Sequence, residues 1–171
     1  VYTSAFTPPT APLTDITNTS LLCNFTNASI VDATGRNVLE TVGNAQVDTT
    51  TVKYGTGAME FDGTGDRLVG KETELLAFGT GDYTIEFWMY PRNTGYGCWI
   101  DTRDANPSTS GISIFNNGTG LELYGSGAIL IVSNAVTLNE WQHFAVTRSG
   151  TDLKAFIDGT QVGTTQTNSD N

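Results

Sequence analysis

The sequence has few residues of the kinds that carry nucleophilic or metal chemistry. It contains one histidine, His143, and two cysteines, Cys23 and Cys98. No serine or cysteine motif accompanies His143, so we expect it to be a half-buried strand residue and not a catalytic base. The cysteine spacing matches no metal site and leaves two alternatives, one disulfide or two small buried side chains.

Basic residues and long apolar runs are also scarce. Eight Lys and Arg stand against 18 Asp and Glu, which gives a formal net charge of -10 and a pI near 4.2. A phosphate backbone would be repelled by this charge, so nucleic acid is excluded as a partner. No apolar run approaches the roughly 18 residues that cross a bilayer, so we expect no membrane insertion.

Turn-forming residues, in contrast, are abundant. There are 19 glycines among 171 residues, with many Thr, Ser and Asn, and 38% of the chain is hydrophobic. This composition predicts an all-β domain with a packed core and numerous turns. Prolines cluster in the first 19 residues, which predicts an extended arm or linker at 1–19 and one domain at 20–171.

Short segments of alternating hydrophobicity, separated by Gly, Asn, Ser or Pro, predict the strands. These segments are 20–25, 45–48, 57–61, 67–69, 83–90, 98–102, 111–116, 121–124, 128–133, 141–148, 153–157 and 160–164. Segment 83–90 is bulky on both faces, which predicts a central strand. Asp158 and Gly159 between two such runs predict a tight hairpin turn.

Three segments in order carry a family resemblance. They are Gly81-Asp-Tyr-Thr-Ile-Glu-Phe-Trp-Met-Tyr-Pro91, Asn139-Glu-Trp-Gln-His-Phe-Ala-Val-Thr-Arg148 and Leu153-Lys-Ala-Phe-Ile-Asp-Gly159, preceded by Ala58-Met-Glu-Phe-Asp-Gly63. Together they resemble the laminin-G-like jelly-roll domains of the concanavalin-A-like superfamily, over roughly residues 20 to 165. The resemblance implies an all-β, two-sheet antiparallel jelly-roll sandwich.

The two ends of the chain depart from the family pattern. Members usually continue beyond the position of Thr164 with at least two more strands, so we expect the domain to lack its last strands. The opening residues 1–10 resemble the segment after the final strand of such a domain when copies occur in tandem. Two explanations stay open: the chain is a piece of a repeat-bearing polypeptide, or a neighbouring subunit's N-terminal arm completes the sheet.

Catalytic carboxylates are not arranged as in the glucanases of the superfamily. Glycoside hydrolysis needs two carboxyl groups that face each other across the scissile bond. The resemblance implies that glucanases carry these groups on alternate residues of one strand. Here Glu86 has Thr84 and Trp88 at those neighbouring positions. Glu72 and Glu74 are spaced by two, but their polar surroundings predict a solvated loop. We therefore expect no enzyme.

Sugar sites in sandwiches use an exposed aromatic ring with polar side chains on nearby loops. One neighbourhood offers this chemistry and supplies our candidate carbohydrate-binding residues: Trp99, Asp101, Arg103, Asp104 and Tyr124. In the alternative, Trp99 belongs to the core and the charged residues form an ordinary loop salt bridge.

Calcium is the one metal that the resemblance suggests. Asp32, Asp62, Asp66 and Asp158 lie in predicted turns, where Asp also serves simply to form the turn. No EF-hand spacing is present, and the acidic C-terminal segment of the family is missing. The sequence assigns no metal ligands, and we expect no cofactor apart from this structural calcium.

These observations predict a non-catalytic carbohydrate-binding or adhesion module of a virion, in a tail, fibre or decoration protein, or of an extracellular surface protein. Its partners would be a glycan or cell-surface polysaccharide, and copies of itself or neighbouring repeats. The alternative is a structural building block that assembles head-to-tail by strand complementation through its N-terminal arm.

Overall fold

The computed structural model describes residues 1–70, 76–103, 111–125 and 128–169. These residues form twelve β-strands, and none of their helical turns is long and apolar enough to cross a membrane. The chain divides into two compact units. We call Val1–Pro8 with Ala77–Asn171 the sandwich unit, and Pro9–Leu76 the second unit.

The described residues of the second unit form two antiparallel strand pairs. Strand β1 (Leu39–Val42) pairs with β4 (Arg67–Gly70), and β2 (Gln46–Asp48) pairs with β3 (Ala58–Glu60). The sequence predicted β2, β3 and β4 but not β1.

The strand predicted at 20–25 is wrong. The amide of Leu22 donates to the Asp32 carboxylate at 3.0 Å, and the Leu22 carbonyl accepts from the amide of Ala33 at 2.7 Å. The polar groups of this residue are therefore satisfied by a turn and its aspartate, and not by a neighbouring strand.

Within the described part of the sandwich unit there are two four-stranded antiparallel sheets. Sheet A has the order β12-β11-β10-β5, and sheet B has the order β6-β7-β8-β9. The strands are β5 (Tyr83–Met89), β6 (Gly97–Asp101), β7 (Ser113–Asn117), β8 (Gly120–Tyr124), β9 (Ala128–Val132), β10 (Gln142–Ser149), β11 (Asp152–Ile157) and β12 (Thr160–Thr167).

The core lies between these two sheets. Phe144 and Val146 of sheet A belong to the same buried cluster as Leu121 and Leu123 of sheet B, and none of the four is exposed. Each side chain of this size contributes about 1.5–3 kcal/mol when it leaves water. The prediction of an all-β, two-sheet antiparallel jelly-roll sandwich is confirmed.

Segment 83–90 forms a strand as predicted, but its expected central position is wrong. Among the described residues, β5 pairs with β10 alone and stands last in the order of sheet A. Its inward side chain Phe87 stands opposite Phe144 of β10. One of its outward side chains, Glu86, is contacted by another segment of the chain.

That segment is Val1–Pro8, which we call the arm. Tyr2 donates its hydroxyl proton to Glu86 at 2.9 Å, and the Phe6 amide donates to the Gly159 carbonyl at 3.0 Å. The arm itself forms no strand. The predicted boundary between residues 19 and 20 stays a prediction.

The predicted turn at Asp158 and Gly159 is confirmed. Both residues have positive φ, 49° and 75°, and they connect β11 to β12 directly. A Cβ on Gly159 would lie 1.8 Å from the Phe6 carbonyl oxygen, so glycine also leaves room for the arm.

Candidate functional site

Trp99, the aromatic residue predicted to stack on a sugar, packs toward the core. Its ring centroid lies 6.2 Å from that of Phe87 and 5.8 Å from that of Phe144, both on sheet A. The register of β6 shifts between Cys98 and Ile100, and this bulge turns Trp99 and Ile100 toward the same buried cluster. This placement agrees with the alternative interpretation of the sequence, in which Trp99 belongs to the core.

Asp101 and Arg103 form a two-bond ion pair. The Arg103 Nε and Nη2 atoms lie 2.9 and 2.8 Å from the two Asp101 carboxylate oxygens. Burial opposes ionisation of Asp101, but the hydrogen bonds from Arg103 outweigh it and hold the pKa of Asp101 below its usual range. The guanidinium group also lies 5.7 Å from the centre of the Phe115 ring.

Tyr124 lies on the outer face of sheet B and is held by Glu122. Its hydroxyl donates to one oxygen of Glu122 at 3.0 Å, and Asn117 donates to the other at 2.8 Å. The hydrogen bond to Glu122 raises the pKa of Tyr124. Glu122 is buried, so this polar group is fixed in orientation.

Two aromatic residues that the sequence analysis did not select complete this surface. Phe115 contacts Tyr124 edge to face at 5.8 Å, and Tyr96 stacks on Phe115 at 5.4 Å with 20° between the planes. Tyr96 is 63% exposed. We call Tyr96, Phe115 and Tyr124 the aromatic surface. The alternation of 111–116 could have identified Phe115, because it faces away from the buried Ile114.

A cleft of about 330 Å³ adjoins this surface at the β7–β8 turn. Its lining combines amide, hydroxyl and carboxylate groups with aliphatic side chains, and consists of Asn117, Gly118, Thr119, Gly120, Glu122, Ile131, Val132, Ser133 and Asn134. Glu122 joins the two features, because it lines the cleft and binds Tyr124. The cleft volume is at the low end of the roughly 300–1,000 Å³ of small-molecule sites.

The structure therefore brings Asp101, Arg103 and Tyr124 to the side of sheet B that carries the aromatic surface, and directs Trp99 to the core. Asp104 lies outside the described residues, as do Glu72 and Glu74. The binding role assigned to these residues stays a prediction.

Glu86 and His143 form a separate polar cluster on the outer face of sheet A. His143 Nε2 lies 3.1 Å from Glu86 Oε2, which also accepts the Tyr2 hydroxyl. His143 is completely buried, so the expectation of a half-buried residue is wrong. Its ring lies edge-on to the rings of Trp88 and Phe6. Thr84 and Trp88 flank Glu86 on β5, so no second carboxylate faces it from that strand.

The aspartates considered for calcium act as turn formers. Asp32 accepts hydrogen bonds from the backbone of Leu22, Thr34 and Asn37, among others. Asp66 accepts the amides of Asn44 and Asp62, and Asp158 accepts the amide of His143. Oxygens that face N–H groups do not fit a cation, and the described residues contain no group of three or more acidic, His or Cys side chains placed to hold a metal ion. Calcium binding stays a prediction.

We expect Asp32 to make the stability of the second unit dependent on pH. Burial alone would raise its pKa, but hydrogen bonds from Thr34, Leu22 and Asn37 hold the pKa far below its ordinary value of 3.8. A lowered pKa in the folded state contributes stability that is present above the unfolded pKa and is lost as the pH falls toward the folded one. We expect the second unit to weaken progressively below about pH 4.

Asp32→Asn should remove much of this pH dependence and lower the stability at pH 7 by about 2 kcal/mol. Urea titrations at pH 7 and pH 3, followed by amide NMR signals of the second unit, measure both effects. The control is Asp15→Asn, since Asp15 is an exposed aspartate of the same unit. Identical pH profiles for the wild type and Asp32→Asn would contradict the role of Asp32.

The two cysteines are not bridged. Both thiols are free; Cys23 is half-buried in the second unit, and Cys98 is exposed on β6 of the sandwich unit. Of the two alternatives from the sequence, the disulfide is absent, and the exposure of Cys98 does not fit a small buried side chain.

One family model matches the chain. It describes the concanavalin A-like lectin/glucanases superfamily, in its laminin-G type, and it matches residues 62–171. No curated protein and no solved structure matches the chain. The matched segment contains every strand of sheets A and B, the aromatic surface and the cleft. The chain therefore belongs to the concanavalin A-like lectin/glucanases superfamily, as a laminin-G-like domain.

Proposed function

We propose that this chain is a non-catalytic carbohydrate-binding module that holds its glycan on the outer face of sheet B. Membership of the superfamily indicates a carbohydrate-binding or adhesion-type module. The observation that carries the proposal is the junction of the aromatic surface with a polar cleft through Glu122. Flat apolar rings beside fixed polar groups match the alternating faces and hydroxyl edges of a pyranose.

Tyr96 is the ring best placed to meet a sugar. It is exposed, and its stacking on Phe115 limits its orientation. Phe115 in turn is held between Tyr96, Tyr124 and the Arg103 guanidinium. A surface that is ordered before binding loses less side-chain entropy when the ligand arrives.

The polar groups in and around the cleft determine the class of glycan. Glu122 and Asp101 are carboxylates, Asn117 and Asn134 are amides, and Arg103 is already paired with Asp101. Such groups suit the hydroxyls of neutral sugars. Acidic sugars would meet two carboxylates in a chain of net charge -10, so we propose a neutral glycan.

The module would act as an adhesion element outside the cytoplasm, on a virion or on a cell surface. The resemblance to domains that occur in surface and fibre proteins supports this setting. The absence of a second carboxylate beside Glu86 on β5 supports a non-catalytic role.

Replacing Tyr96 with Ala should lower the affinity for the bound glycan about tenfold, because one aromatic contact is worth about 0.5–1.5 kcal/mol beyond its area and 1.4 kcal/mol is a factor of ten. A glycan array identifies the ligand, and titration calorimetry measures the affinities. Phe61→Ala is the matched control, since Phe61 is a 49% exposed aromatic of the second unit.

If Tyr96→Ala and the wild type bind the glycan with equal affinity, the glycan binds elsewhere. If the array retains no glycan, the proposed function is wrong. Release of new reducing ends from the retained glycan would contradict the non-catalytic role.

A further inference from the structure

The outer face of sheet A carries a groove that the arm fills. The side chains that contact the arm are Glu86, His143, Thr147, Lys154 and Phe156, and we call them the arm groove. They belong to strands β5, β10 and β11, and His143 and Phe156 are completely buried.

Two aromatic side chains fill the apolar part of the groove. The rings of Tyr2 and Phe6 stack on each other at 3.6 Å with 6° between their planes. Phe6 meets Phe156 at 5.4 Å and His143 at 5.7 Å, in both cases edge to face. The four-residue spacing lets both rings share one pocket.

Hydrogen bonds hold the arm in register. Thr147 donates to the Tyr2 carbonyl at 2.8 Å, and Lys154 donates to the Thr3 carbonyl at 2.7 Å. The Tyr2 hydroxyl donates to Glu86 at 2.9 Å. Burial, together with the Glu86 charge, raises the pKa of Tyr2 to about 12, so this hydroxyl keeps its proton at neutral pH.

The arm is bound as a ligand would be, and not as a strand. The arm pairs with no strand of either sheet. The sequence analysis considered an arm that completes a sheet as an added strand, and the arm does not bind in that way within its own chain. Residues 8–12 connect the arm to the second unit, with three prolines and with Thr10, Ala11 and Pro12 exposed. Any chain with the same first six residues offers the groove the same contacts.

We propose that the arm groove is also the docking site for the arm of a second copy of this chain, which binds through Tyr2 and Phe6. An arm that binds the groove of a second copy makes the same contacts as an arm that binds its own groove. The two arrangements therefore differ mainly in the effective concentration of the arm at the groove. A binding segment that is linked to its own site typically has an effective concentration of about 1 mM. Exchange should therefore appear as the protein approaches this range.

The experiment pairs a donor chain with an acceptor chain. Gly159→Ala makes the donor, because the added Cβ would lie 1.8 Å from the Phe6 carbonyl oxygen and block the chain's own groove. Tyr2→Ala with Phe6→Ala makes the acceptor, whose groove is intact and whose arm lacks both rings. Sedimentation of each chain alone should show monomers, and an equimolar mixture should show a 1:1 complex.

Gly150→Ala is the matched control for the donor. Gly150 has the same left-handed backbone, with φ of 60°, but a Cβ there would meet nothing within 4 Å. Its arm stays in its own groove, so its complex with the acceptor should need at least tenfold higher concentrations. Circular dichroism checks that each variant is folded.

The wild type gives an independent measurement without any groove variant. Its mean mass should rise between 10 μM and about 1 mM, whereas Tyr2→Ala with Phe6→Ala should stay monomeric. Monomers throughout this range for the wild type, and for the donor and acceptor mixed, would overturn the proposal.

Discussion

Replacing Arg148 with Met should lower the free energy of unfolding of the sandwich unit by about 3–5 kcal/mol. Arg148 is 2% exposed. Its guanidinium donates to the Gly79 and Gly81 carbonyls and to the Asn168 side chain, and lies 5.0 Å from the centre of the Tyr83 ring. Methionine fills part of the volume but leaves the buried Asn168 side chain and the less buried Gly79 and Gly81 carbonyls without this donor. A buried acceptor left unpaired costs about 1–3 kcal/mol, and the lost packing on Tyr83 adds to this.

Urea denaturation followed by tryptophan fluorescence measures this loss, because Trp88, Trp99 and Trp141 all lie in the sandwich unit. The free energy of unfolding of Arg148→Lys should lie between those of Arg148→Met and the wild type. An ammonium group keeps the charge but lacks the planar set of donors of a guanidinium group. Arg103→Met is the control for an ion pair near the surface, and it should cost about 1 kcal/mol or less. A loss below 1 kcal/mol for Arg148→Met would show that Arg148 does not organise this region.

Replacing Phe144 with Ala should cost the same unit about 3–5 kcal/mol for a different reason. Phe144 has no exposed surface, and its ring lies 5.1 Å from that of Phe87 and 5.8 Å from that of Trp99. It thus joins the two sheets. Truncation removes the buried ring and leaves a cavity that the surrounding strands cannot close.

Phe144→Leu keeps much of the volume and should cost well under half as much, which separates cavity formation from the loss of a ring. Phe61→Ala supplies the exposed comparison and should change stability by less than about 1 kcal/mol. The cavity explanation fails if Phe144→Ala and Phe144→Leu are equally stable.

The strands of the sandwich unit could be predicted from sequence because alternation, glycine turns and the Asp158-Gly159 hairpin act locally. The prediction at 83–90 matches Tyr83–Met89 almost residue for residue. Its place in the sheet was wrong, because a strand at the edge of a sheet can also be bulky on both faces when an arm contacts it. The contact between Tyr2 and Glu86 joins residues 84 apart, and no local pattern reports it.

The candidate site was only partly predictable for a similar reason. Alternation locates Phe115 opposite Ile114 once β7 is assigned. The bulge in β6 depends on its pairing with β7, so the direction of Trp99 could not be read from the sequence of β6 alone. At 20–25 the alternating pattern was present, but Asp32 competes for the backbone of Leu22 and a turn forms instead.

The two unbridged cysteines give each compact unit its own chemical probe. Desolvation of each sulfur by neighbouring protein atoms raises the pKa of both thiols from 9.0 to about 11, although Cys98 as a residue still has exposed surface. The reactive thiolate is therefore scarcer by on the order of a hundredfold at each site than in the open chain. Exposure separates the two, because Cys98 is exposed on the sandwich unit and Cys23 is half-buried in the second unit. An alkylating reagent would mark Cys98 first in the native protein, and would reach Cys23 as the second unit opens.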